Sequence, residues 1–126
     1  MLRLLPALLA LAVPAAWAAG PTVQVQVGDN VTLASYYQIR GADCAPLRPP
    51  LVRIVQPPRL GTATVVQSQG NSGPGGRCAH TAVPVTQIVY RGTQPGQDTV
   101  IWEVTHQPRQ PASRRDNAAI TVVPRN

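Results

Sequence analysis

Seven short runs in which apolar and polar residues alternate, each closed by glycine, proline or a polar turn, direct this 126-residue chain into β-structure. The clearest is residues 22–27, Thr-Val-Gln-Val-Gln-Val, where Val23, Val25 and Val27 fall on one face with glutamines between them. Gly28-Asp29-Asn30 turns the chain, and residues 31–39 carry the alternation on through Val31, Leu33, Ser35, Tyr37 and Ile39. A third run, 51–56, stops at Pro57-Pro58, because proline cannot donate to a ladder. Further runs occupy 62–67, 85–91, 99–105 and 117–123. Composition excludes the all-helical alternative: 14 Pro and 10 Gly stand against a single Glu and no Lys, so most good helix formers are missing. Seven strands divided by turn signals predict an antiparallel sandwich.

The chain length fits one domain. Residues 1–18 have the three parts of a secretory signal: Arg3 as the charge, an apolar stretch over residues 4–13, and Ala16-Trp17-Ala18 as a small-x-small cleavage site. The stretch falls short of the roughly 20 apolar residues that span a bilayer. No cysteine lies near the cleavage point, which argues against a lipid anchor, and nothing further along could cross a membrane. The expectation is a signal peptide over 1–18 and a mature domain over 19–126, periplasmic or secreted. With 44% hydrophobic and 13% charged residues, the chain has the make-up of a folded globule.

Only two cysteines occur, Cys44 and Cys78. In an exported protein pairing is the default reading, and closing a loop of this length stabilises by roughly 3 to 4 kcal/mol on the chain-entropy model. A metal reading would need more ligands. Cys78-Ala79-His80 brings two together, but Cys44 and His106 are distant, and neither Cys-x-x-Cys nor His-x3-His spacing occurs. Asp29, Asp43, Asp98 and Asp116 are too scattered for calcium, and no cofactor is implied.

From Pro58 onward the sequence resembles the bacterial immunoglobulin-like or cadherin-like repeats. The resemblance is carried by Pro58-Arg-Leu-Gly61-Thr62-Ala-Thr-Val65, then Tyr90, then Gly96-Gln-Asp98-Thr-Val100-Ile-Trp102-Glu-Val104, then Ala118-Ala-Ile120-Thr-Val122. It implies a seven-stranded immunoglobulin-like sandwich with Val100, Trp102 and Val104 sharing a buried face. Asp98 would cap backbone N–H groups of its turn, and Tyr90 would bury its ring and bond its hydroxyl to nearby backbone. In that topology the loops after strands two, four and six gather at one end, here 40–50, 68–82 and 106–116. A Cys44–Cys78 bridge would tie the first loop to the second.

Those three loops hold Arg40, Arg48, Arg77, Arg109, Arg114 and Arg115 against Asp43 and Asp116, in a chain of net charge +6. Arginine pairs bidentately with phosphate and carboxylate, so Arg77, Arg109, Arg114 and Arg115 are the candidate binding residues for an anionic partner; the bland alternative is a solvated end that keeps the protein soluble. Nucleic acid is not expected, since no stacking aromatics sit among the loop arginines. His80, His106, Ser72, Ser113 and Asp43 share the loops, but no nucleophile-elbow motif organises them, and no enzyme is expected. Tyr36, Tyr37 and Trp102 could stack on sugars, with core packing the stronger reading for Tyr37 and Trp102. Two function classes follow. One is a non-enzymatic envelope module binding a protein or anionic polymer through its loops. The other is a structural accessory that docks through a sheet edge, such as residues 23–27.

Overall fold

The structure, a computed structural model, describes residues 22–106 and 112–126. The expected signal peptide over 1–18 and candidate Arg109 lie outside the described residues. Nine strands and no helix occur among those described: β1 (Thr22–Gln26), β2 (Asn30–Tyr36), β3 (Gln38–Ile39), β4 (Pro46–Leu47), β5 (Leu51–Gln56), β6 (Gly61–Asn71), β7 (Ala82–Gly92), β8 (Gly96–His106) and β9 (Ala112–Val123). The described residues are therefore all-β, as the alternation requires. The count of seven is corrected to nine: the expected strand over 31–39 divides into β2 and β3, and β4 lies in what reads as a loop and pairs with β3.

The main sheets have the orders β1-β9-β8-β5 and β2-β7-β6. Neither the sandwich nor its first sheet is purely antiparallel: β1 lies parallel to β9, from Thr22 opposite Ala119 to Gln26 opposite Val123. No hairpin joins these two strands, so nothing forces them to run in opposite directions. Strands β6 and β7 pair without interruption from Gly61 opposite Gly92 to Asn71 opposite Ala82. That pairing carries β6 four residues past the apolar run that announces it.

Period-two alternation places one side of each strand in the core. Val25, Leu33, Ile88, Tyr90, Val100, Trp102, Val104, Ala118, Ile120 and Val122 form one buried cluster drawn from both main sheets. Strand β2 departs from its expected register. A bulge between Thr32 and Ala34 inserts one residue, so Tyr36 packs against the core while Ser35 and Tyr37 are exposed. The expected burial of Tyr37 is thereby corrected.

One corner joins β5, β6, β7 and β8. Asp98 is buried and accepts the backbone N–H groups of Arg59 (3.0 Å), Leu60 (2.9 Å) and Thr99 (2.9 Å). Its Oδ2 also accepts the Tyr90 hydroxyl at 2.8 Å, so that hydroxyl is held by a carboxylate and not by backbone. Gly61 sits against the same ring. A Cβ there would meet the Arg91 carbonyl oxygen at 2.2 Å and the Tyr90 hydroxyl at 2.8 Å, so no larger residue fits without moving backbone.

Cys44 and Cys78 form a disulfide, S–S 2.09 Å, between the β3–β4 turn and the β6–β7 connection. Reduction is expected to lower unfolding free energy by about 3 kcal/mol, read as a drop in melting temperature on adding a reductant. The oxidised protein should weigh two hydrogens less than the reduced form. Two titratable thiols in the native protein would contradict the bridge.

Candidate functional site

The end of the molecule that carries the disulfide is built from two well-bonded loops. In the first, Arg40 N–H donates to Ala45 O (2.9 Å) and Cys44 N–H to Arg40 O (2.8 Å), closing the β3–β4 hairpin. Asp43 braces the turn by accepting Ala45 N–H at 3.2 Å and pairing with Arg40 Nη1 at 3.3 Å. Cys44 takes a left-handed backbone, φ 58°.

The β6–β7 connection is Gly-rich in sequence, yet it is organised around Ser72. Ser72 Oγ donates to Cys78 O (2.6 Å) and accepts Thr81 N–H (3.0 Å), while Thr81 Oγ1 donates to Cys78 O (3.0 Å). His80 N–H closes the loop on Gly73 O at 2.8 Å. Gly73 and Gly76 supply the positive φ values, 87° and 83°, that the path requires.

Among the described residues, three hydrogen bonds between side chains or from side chain to backbone join these loops to each other and to the end of β8. Arg77 Nη2 donates to Ala42 O (3.2 Å), and the Tyr37 hydroxyl to Ser72 O (3.1 Å). Gln38 Nε2 meets His106 Nδ1 at 3.1 Å, tying the β3–β4 hairpin to the end of β8. Just below, Trp102 Nε1–H donates to the Tyr36 hydroxyl and that hydroxyl to Asp116 Oδ2, both at 2.7 Å. Burial pushes the Tyr36 phenol up to about 12; the Trp102 bond opposes the rise and Asp116 adds to it. The hydroxyl therefore remains a donor throughout the neutral range, and Asp116 is held in place for Arg114, whose Nε lies 3.5 Å from its Oδ2.

The candidate arginines divide. Arg77 is exposed at the rim of the tied loops, with Arg40 on the opposing loop. Arg114 and Arg115 are not loop residues: they belong to β9, opposite Val104 and Glu103. Neighbours on a strand point to opposite faces. Arg114 accordingly shares the side of Asp116 and Tyr36, while Arg115 reaches Glu103 Oε2 at 4.0 Å. Glu103 also faces Arg53 Nη2 at 3.8 Å, so Arg115 and Arg53 flank one carboxylate on the other face of the sheet. These exposed pairs are worth little stability and leave the guanidinium groups open to other anions.

Three of the residues weighed for catalysis make local contacts. Ser72 binds its own loop, His106 meets Gln38, and Ser113 Oγ meets Thr105 Oγ1 at 2.9 Å. No group of three metal-ligating side chains occurs among the described residues, and no helix there is long and apolar enough to cross a membrane. Sequence reasoning missed Ser72 as the hub of its loop, although a serine before a glycine-rich turn is a known local bonding signal. It also missed the exposure of Tyr37. Comparison with protein-family profiles, curated proteins and solved structures gave no match.

Proposed function

We propose that this chain is a non-enzymatic recognition module of immunoglobulin-like build, exported to the periplasm or beyond, that binds an anionic partner through its disulfide-tied loop end. The carrying observation is that end itself: two loops fixed by the Cys44–Cys78 bond and the Arg77 to Ala42 contact, with exposed arginines on both. A rigid scaffold that presents bonded loops is a common arrangement for binding, since less ordering entropy is lost on contact. With the β3–β4 hairpin set aside, seven strands remain in two sheets. Six of them, β2-β7-β6 and β9-β8-β5, keep the order of a constant-type immunoglobulin sandwich, which supports the build proposed; the first strand departs from it by lying beside the last. A disulfide persists in oxidising compartments, which supports the location.

The binding set is Arg40, Arg77, Arg109 and Arg114. Arg115, directed toward Glu103 and Arg53, falls outside it. Arg109 enters on the sequence alone; changing all four to Gln should weaken retention on immobilised poly-L-glutamate by about tenfold, as four charge contacts of roughly 0.3–0.5 kcal/mol each would. Wild-type retention should fall as salt rises. Arg53, Arg59 and Arg91 changed together serve as the control. Equal losses from both sets would reduce the attraction to bulk charge.

A second reading is favoured by one observation. Strand β6 runs eleven residues with no charged residue, proline or bulge, and among the described residues it pairs only with β7. Such an edge, like that of β1, suits docking to a larger assembly by strand addition. Partner capture that survives the arginine changes but fails on Thr64→Pro would favour it.

A further inference from the structure

Resting on the loop-end reading, we infer that the depression between the two tied loops is a subsite for one ring of an acidic saccharide, stacked on Tyr37 with its carboxylate at Arg77. The β2 bulge turns Tyr36 inward and leaves Tyr37 43% exposed, one of two large apolar side chains so displayed among the described residues. Its ring is also fixed, because the hydroxyl donates to Ser72 O on the opposite loop. A half-exposed aromatic face tethered at its far end is a pre-organised platform, and little freedom remains to be lost when something stacks on it.

The depression is lined by Tyr37, Ile39, Gly41, Ser72, Gly75 and Cys78. Two of these lack side chains, and a Cβ on Gly41 or Gly75 would meet nothing within 4 Å. The space over the platform is therefore open and can take a flat ring. Arg77 stands at the rim, since it precedes Cys78 and its Nη2 reaches Ala42 O beside Gly41. One of its five N–H donors is used there, which leaves the others for an oxyanion. Arg40, on the other side of Gly41, adds positive charge at the same rim while engaging Asp43.

Chemistry separates the classes of polyanion. An acidic peptide would use the arginines and has no need of the ring. A uronic acid unit presents a C–H face to an aromatic, hydroxyls to the polar wall at Ser72, and a carboxylate in reach of a guanidinium.

The test uses the exported, oxidised protein and two probes of matched charge, a galacturonic acid oligomer and poly-L-glutamate, with binding followed by calorimetry. Wild type should bind the uronate oligomer more tightly. Tyr37→Ala and Gly75→Leu should each weaken uronate binding roughly fivefold or more while leaving poly-L-glutamate binding unchanged. Arg77→Gln should weaken both. Tyr37→Phe, which keeps the ring but loses its tether to Ser72 O, should bind the uronate more weakly than wild type and more tightly than Tyr37→Ala. Gly75→Leu meets no atom on its first carbon, so its melting temperature should match wild type and its binding result stands free of folding effects. If the two probes bind equally and neither Tyr37→Ala nor Gly75→Leu discriminates between them, the saccharide subsite is wrong while the anionic loop end survives. If neither probe binds, both fall together.

Discussion

Trp102→Ala should lower unfolding free energy by about 3–5 kcal/mol, the range for truncating a buried aromatic. Trp102 is 2% exposed at the middle of β8, opposite Ile54 on one side and Asp116 on the other. The chain contains no Phe, so no neighbouring aromatic of that kind can swing into the space. The loss also has a polar component, because the indole N–H donates to the half-buried Tyr36 hydroxyl. A small domain has a total stability of about 5–15 kcal/mol, so the variant should be close to unfolding in dilute urea. Circular dichroism through a urea titration reads this directly. Trp102→Phe should retain most of the packing and lose about 1 kcal/mol with the bond to Tyr36. A Trp102→Ala midpoint equal to wild type would show that the core is centred elsewhere.

Asp98→Ala should be comparably damaging, by about 3–5 kcal/mol. Removing the carboxylate leaves the N–H groups of Arg59 and Leu60 and the Tyr90 hydroxyl without their acceptor, each costing about 1–3 kcal/mol where water cannot replace it. Asp98→Asn is no remedy: both carboxylate oxygens accept bonds, so an amide NH2 would face a backbone N–H. Burial pushes the Asp98 carboxyl up, but the bonds from Arg59, Leu60, Tyr90 and Thr99 outweigh it and hold the group below its ordinary value. A carboxyl lowered by folding contributes stability that is fully present above its unfolded value near 4 and is lost as pH falls through the lower folded value. Denaturant midpoints should therefore drop for wild type between pH 5 and acid conditions below about pH 4. Asp98→Asn should show a shallower drop over the same window, and identical slopes would remove Asp98 from the account.

What the sequence disclosed follows what alternation can encode. Val23, Val25 and Val27 announce β1, and Val100, Trp102 and Val104 announce β8, because each apolar side chain is placed by a two-residue period. Strand β4 is two residues long, too short for any period to register, and β3 reads only as the tail of the 31–39 run. The far end of β6, Gln-Ser-Gln-Gly-Asn, and the start of β9, Ala-Ser-Arg-Arg-Asp, carry no apolar alternation; they are strands because β7 and β8 supply partners. That is why Arg114 and Arg115 read as loop residues. The bulge in β2 is equally silent, since one inserted residue changes faces without changing composition, and it decides that Tyr36 is a half-buried relay and Tyr37 an exposed platform. Pairing of the two cysteines followed from their number and the export signal. The Ser72 network required the loop's path.

The parallel pairing of β1 with β9 also sets how the domain meets mechanical tension. Thr22 begins β1 beside Ala119, and Val123 ends β9 beside Gln26, so chain enters at one end of the pair and leaves at the other. A pull on the segments before and after them drags the two strands lengthwise past each other. All five paired positions then bear the load at once and must yield together, whereas a hairpin pulled at its open end parts bond by bond. Arg125 adds a catch on the same seam, donating to Val27 O at 3.0 Å and pairing with Asp29. Extension applied across the two ends of this pair would therefore be resisted by shear along the first and last strands.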